Sequence, residues 1–108
     1  MKCSKTYYGG TYFTLSDLEN SSINHEVELE YYSLEKRSHN KSNVSSTYGI
    51  EIVKKEYLEN TTKVERKNVE YVTKDKNQAE TILELLKRNK VTPMSLDDIV
   101  YDLVKITE

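Results

Sequence analysis

The chain has 108 residues, with 16 Lys and Arg against 18 Asp and Glu, for a formal net charge of -2. That length provides one core, so a single small α+β domain over residues 1–108 is expected, with no separate catalytic and binding domains. The near-neutral balance, in which 13 basic residues are Lys and 3 are Arg, gives no overall field for nucleic acid or an anionic membrane and few of the planar forks that suit phosphate.

One cysteine, Cys3, excludes an intramolecular disulfide, and no apolar run follows Met1 and Lys2. Neither a signal peptide nor a membrane span is therefore expected, and the chain reads as cytoplasmic. Cys3 stands near a terminus expected to fray, with no neighbour that would activate a thiol.

Lys5 to Thr14 carries strong strand formers around Gly9 and Gly10, which mark a tight hairpin or a bulge within an N-terminal strand. Tyr7, Tyr8, Tyr12 and Phe13 form the densest aromatic cluster, either a docking patch or ordinary cross-strand packing. Ser16 with Glu19 has capping-box spacing, enough for one helical turn.

From Asn24 to Ser33 the pattern alternates, with Val27, Leu29 and Tyr31 on one face and Glu26, Glu28 and Glu30 on the other. This is a half-buried antiparallel strand with a solvated acidic face, relieved by lysines on the next strand. Three carboxylates on one strand face do not converge as a metal cage must. Lys36 to Thr47, rich in Ser and Asn, reads as a mobile loop. His25 and His39 lack any zinc spacing and read as exposed.

Tyr48 to Leu58 is a second strand, with Tyr48, Ile50 and Ile52 inward, Glu51 outward, and Gly49 at a bulge or close backbone approach. Val64 to Val72 returns as a third, with Val69 and Tyr71 inward and an irregularity expected near Lys67 and Asn68, because Val64 and Val69 are out of phase. The hairpin around residues 54–67 carries Lys54, Lys55, Lys63, Arg66 and Lys67. From Tyr48 to Lys74, however, six basic residues face five acidic ones. A two-stranded ribbon of this kind can enter a nucleic-acid groove, whereas mixed signs more often form cross-strand pairs.

Two amphipathic helices end the chain. Ala79, Ile82, Leu83 and Leu86 form one stripe, and Leu96, Ile99, Val100 and Leu103 form the other. Asp75 with Gln78 starts the first helix, Lys87, Arg88 and Lys90 suit its far end, and Asn89 stops it. The second helix starts either with Thr92 capping Pro93 or with Ser95 capping and Asp98 at the third position. The expected fold is an antiparallel sheet of three or four strands followed by two C-terminal amphipathic helices packed on one face.

Tyr48-Gly49-Ile50-Glu51 and the residues Asn89, Val91, Thr92, Pro93, Leu96, Asp98 and Asp102 resemble a family of small proteins from low-GC, spore-forming anaerobic bacteria. The resemblance runs from about Val27 onward, leaving out the aromatic N-terminus and the Ser/Asn segment. It implies this fold in a bacterial cytoplasm and supplies no activity or site residue.

No catalytic constellation, metal-ligand spacing, nucleotide loop or cofactor motif stands out, so no enzyme, cofactor or metal is expected. A helix-turn-helix reading fails on charge, since Ser95 to Glu108 holds one basic and four acidic residues. What remains is a non-catalytic protein-interaction or regulatory module whose partner is another protein or a second copy, with nucleic acid disfavoured and no membrane. The alternative is a nucleic-acid-binding accessory protein using the hairpin around residues 54–67.

Overall fold

In a computed structural model of the chain, described here for residues 2–14, 17, 25–40 and 43–107, four strands precede two helices. The strands are β1 (Lys2–Tyr12), β2 (Glu26–Asn40), β3 (Asn43–Tyr57) and β4 (Thr62–Thr73). They form one antiparallel sheet in the order β1-β2-β3-β4, each strand beside its sequence neighbour. Helix α1 (Lys76–Arg88) touches all four strands, and α2 (Leu96–Thr107), entered through a single 3-10 turn at Pro93–Ser95, packs on β4.

Alternation decides which side chains the helices cover. Leu29, Tyr31, Ile50 and Ile52 meet Ile82, Leu83, Leu86, Leu96 and Val100 in one buried cluster, with Ile99 and Leu103 packed at its margin. Burying each large side chain contributes roughly 1.5–3 kcal/mol, and that gain holds the helices on the sheet. The Tyr31 hydroxyl, buried with its ring, donates to the Val91 carbonyl at 2.9 Å and so ties β2 to the link between the helices.

Asp75 caps α1 by accepting from the amides of Asn77 at 2.8 Å and Gln78 at 3.4 Å. The second half of the box runs through a third residue. Thr73 Oγ1 accepts from the Asp75 amide at 3.0 Å and donates to Gln78 Oε1 at 2.7 Å. At the other end the Asn89 amide and side chain both donate to the Leu85 carbonyl. The Val91 amide reaches Leu86 and the Lys90 amide reaches Lys87, each at a distance near 3 Å, which is the Schellman pattern. Lys90 occupies its left-handed position at φ 51°, where glycine is the usual residue.

Several expectations need correction. The Ser/Asn segment is no loop: β2 continues to Asn40 and β3 begins at Asn43, with Lys36 opposite Thr47 and Asn40 opposite Asn43. A ribbon whose two faces both meet water needs no apolar alternation, so the pattern that reveals half-buried strands is absent from it. His39 therefore lies in a strand, and Cys3, in place of fraying, pairs with Lys36 across β1 and β2. His25 is not freely exposed, because its Nε2 lies 3.2 Å from Glu56 Oε2. The N-terminal glycines mark a bulge in β1, between Tyr7 and Gly9, and not a hairpin. The Ser16 and Glu19 capping box lies outside the described residues.

The irregularity in β4 falls further along than Lys67 and Asn68, which keep regular register with Ile52 and Glu51. It sits where Gly49 alone separates Tyr48 from Ile50 while three residues separate Val69 from Thr73. The phase slips there, so Val72 is 5% exposed and Tyr71 is 55% exposed, the reverse of strict alternation. Glu51 lies on the side away from the helices, as expected, but is buried there. Thr92 accepts from the Ser95 amide through its carbonyl but makes no side-chain cap, and α2 begins only at Leu96.

Candidate interaction surface

The helices cover one face of the sheet, and the register fixes what the other presents. Tyr12 lies opposite Glu28, and Glu28 opposite Lys55; Tyr7 lies opposite Tyr32, and Tyr32 opposite Glu51. With Tyr57 and Lys5, these side chains share the helix-free face because paired residues point the same way. The N-terminal aromatic cluster is thereby divided. Tyr8 and Phe13 pack against the core, whereas Tyr7 and Tyr12 stand on the open face, 56% and 50% exposed.

The face is organised around its carboxylates. The Tyr57 hydroxyl donates to Glu28 Oε1 at 2.8 Å, and Tyr12, opposite Glu28 on the strand on the other side, approaches the same carboxylate. The Tyr57 hydrogen bond chiefly, with the Tyr12 hydroxyl and the charge of Lys55, holds the Glu28 carboxyl below its ordinary range against the opposing effect of desolvation. The bonded carboxylate in turn pushes both phenols up. Glu30 receives Lys55 Nζ at 3.0 Å and the Tyr32 hydroxyl at 3.3 Å. So the lysine expected to relieve the acidic face does so, while Glu26 stays exposed.

Toward the other end, the Tyr7 and Tyr32 rings meet edge to face at 5.6 Å between centroids, and Lys5 Nζ lies 4.3 Å from the Tyr32 centroid. The same ammonium contacts Glu51 Oε2 as an ion pair, without the alignment of a hydrogen bond. Rings held by neighbours on adjacent strands lose little freedom on docking, so this face offers large, pre-ordered contact area.

The basic hairpin is dispersed by comparison. Lys54 pairs with Glu56 at 2.9 Å, Lys55 with Glu30 at 3.0 Å, Lys63 with Glu65 at 3.5 Å, and Lys67 with Asp97 of α2 at 3.1 Å. Register also puts Lys54, Lys63 and Lys67 on the helix side and Lys55 and Arg66 on the open side. No group of three or more His, Cys, Asp or Glu that could hold a metal occurs among the described residues. Among those residues, no helix is long and apolar enough to cross a membrane.

The Tyr12–Glu28–Tyr57 arrangement spans three strands and has no linear motif; only correct register would have revealed it. A family model matches residues 12–106, and its description is a family of unknown function, DUF6514. The match reaches further than the resemblance noted from sequence, since it takes in the Ser/Asn ribbon as well and leaves out β1 up to Thr11. Searches of curated proteins and of solved structures found no match.

Proposed function

We propose that the chain, which belongs to this family of unknown function, is a non-catalytic protein-interaction module of the bacterial cytoplasm that meets its partner with the helix-free face of the sheet. The observation carrying this reading is the ordered tyrosine surface. Tyr7 and Tyr12 stand half out of solvent with Tyr57 beside them, each fixed by a ring or carboxylate on a neighbouring strand. Tyrosines held in this way are the side chains that interface centres favour.

The alternative, a nucleic-acid accessory role through the hairpin around residues 54–67, loses support because four of its five cations already have carboxylate partners. The test is affinity capture from native cells combined with light scattering of the pure protein, using wild type and a Tyr7→Ser/Tyr12→Ser variant. Capture or self-association lost by a variant that still melts cooperatively supports the reading. Retention by that variant overturns it.

A further inference from the structure

The lysines of this molecule are not evenly neutralised. Lys5, Lys54, Lys55, Lys63, Lys67 and Lys90 each contact a carboxylate. Lys2, Lys36, Lys74, Lys76 and Lys87 form no ion pair among the described residues; Lys87 lies at the far end of α1 beside Gly9, and the fold brings the other four to one end. Lys2 lies opposite Arg37 and next to the level of Lys36; β4 ends at Thr73 opposite Tyr48, so Lys74 and the start of α1 at Lys76 reach the same level. Four carboxylates share this end, and two of them, Glu35 and Glu80, line a recess with Lys76. The Ser46 hydrogen bond chiefly, with that of Arg37 and the charge of Lys76, holds the Glu35 carboxyl below its ordinary range. Glu35 accepts from Arg37 at 3.1 Å and Ser46 at 3.0 Å, Asp75 is taken up by helix amides, and Glu70 lines a recess with Lys5 and Lys36.

Beyond this basic rim the β2–β3 ribbon continues without either neighbouring strand, since β1 begins opposite Arg37 and β4 ends opposite Tyr48. From Lys36 to Thr47 the sequence has no acidic residue and one apolar residue, Val44. The extension from Ser38 to Asn40 reaches about 10 Å at strand rise, which matches the roughly 8.5 Å depth of a DNA major groove that admits a two-stranded ribbon. Register puts Lys36 on the helix-free side and Lys2 and Arg37 on the helix side. Cations on both sides of a projecting ribbon suit phosphates on both walls of a groove, whereas a flat bilayer meets one side or the tip alone. The deep, narrow major groove of an RNA duplex does not admit the ribbon.

We infer that this end is a second docking surface, in which the β2–β3 ribbon enters the major groove of double-stranded DNA while Lys2, Lys36, Lys74 and Lys76 meet the flanking phosphates. It is independent of the tyrosine face and lies at a different place from the hairpin around residues 54–67. The whole-chain charge of -2 conceals it, because the four lysines come from three separate stretches of the sequence.

Fluorescence anisotropy of a short labelled DNA duplex at low salt tests the inference. With four phosphate contacts, log affinity should fall against log salt with a slope of roughly -3 to -4. Lys36→Glu/Lys76→Glu should weaken binding about tenfold or more, and Lys36→Gln/Lys76→Gln should flatten the slope by roughly 2. Arg66→Glu, a charge reversal on β4 away from this end, should leave affinity unchanged, as should Tyr7→Ser/Tyr12→Ser, which reports on the other surface. The inference is overturned by absence of DNA binding, by equal weakening from Arg66→Glu, or by equal affinity for an RNA duplex. Binding only to phosphatidylserine vesicles overturns it too.

Discussion

Tyr31 and Val91 are joined by a buried hydrogen bond, 2.9 Å from the phenol to the carbonyl, between residues sixty positions apart. The ring is fully buried at the centre of the apolar cluster, and burial pushes its ionisation well above the ordinary value. The hydroxyl thus remains a neutral donor. Its acceptor lies in the Schellman turn that ends α1, so one bond couples the sheet to the angle at which the chain leaves the first helix.

Tyr31→Phe keeps the ring and leaves the Val91 carbonyl without this donor. Orphaning a buried acceptor costs about 1–3 kcal/mol, more than an ordinary hydrogen bond contributes, because its desolvation is no longer offset. Urea denaturation should show a lowered midpoint with unchanged slope. A midpoint equal to wild type would mean that water replaces the donor.

Gly49 is required by space. Its backbone has negative φ, but a Cβ there would lie 2.3 Å from the Val69 carbonyl oxygen and 2.4 Å from that of Glu70, where β4 accommodates its extra residues. Those oxygens belong to a paired backbone and cannot rotate away as a flexible side chain would. Gly49→Ala should therefore destabilise by about 1–3 kcal/mol or more, although alanine normally suits a strand no worse than glycine. A thermal melt equal to wild type would show that the bulge relaxes.

That bulge also marks where sequence reading stops working. The core stripes of both helices, and Val27, Leu29, Tyr31, Ile50 and Ile52, were legible because each repeats with the period of its element. Val72 was not, since the extra residues opposite Gly49 exchange its face with that of Tyr71. The polar ribbon was missed because strand periodicity signals burial on one side only. The candidate surface was less legible still. Glu28 was readable as an outward carboxylate, but Tyr12 and Tyr57 become its partners only once three strands are in register.

The segment between the helices separates backbone from side-chain effects. Lys90 is the one described non-glycine residue at positive φ, while Thr92 makes no side-chain cap and Met94 is 88% exposed. Thr92→Ala should then be nearly neutral, although an N-cap threonine would ordinarily contribute about 0.5–2 kcal/mol. Lys90→Gly removes the left-handed strain but also the contact with Asp17. Comparing it with Lys90 in an Asp17→Asn background isolates the backbone effect, which should stabilise by about 1 kcal/mol. If glycine does not raise the melting temperature in that background, the turn does not hold Lys90 under strain.

Acid should unfold this protein through carboxylates that are better served in the native state than in the unfolded chain. The Lys90 ammonium first, then the Thr14 amide and hydroxyl, hold Asp17 down to about 2 from an ordinary 3.8. Glu28, Glu35 and Glu56 are also held below their ordinary 4.5, mainly by hydrogen bonds from Tyr57, Ser46 and Lys54 respectively. A folded value below the unfolded one means that the unfolded state binds protons first, so stability is fully present above the unfolded value and is lost as pH falls through the folded one. Melting temperature should therefore be level above about pH 5 and decline between there and about pH 2. Asp17→Asn removes the lowest of the four titrations. Its melting temperature should lie below wild type at neutral pH and converge with it toward pH 2. Parallel curves across that window would mean that the Asp17 to Lys90 contact does not persist in solution.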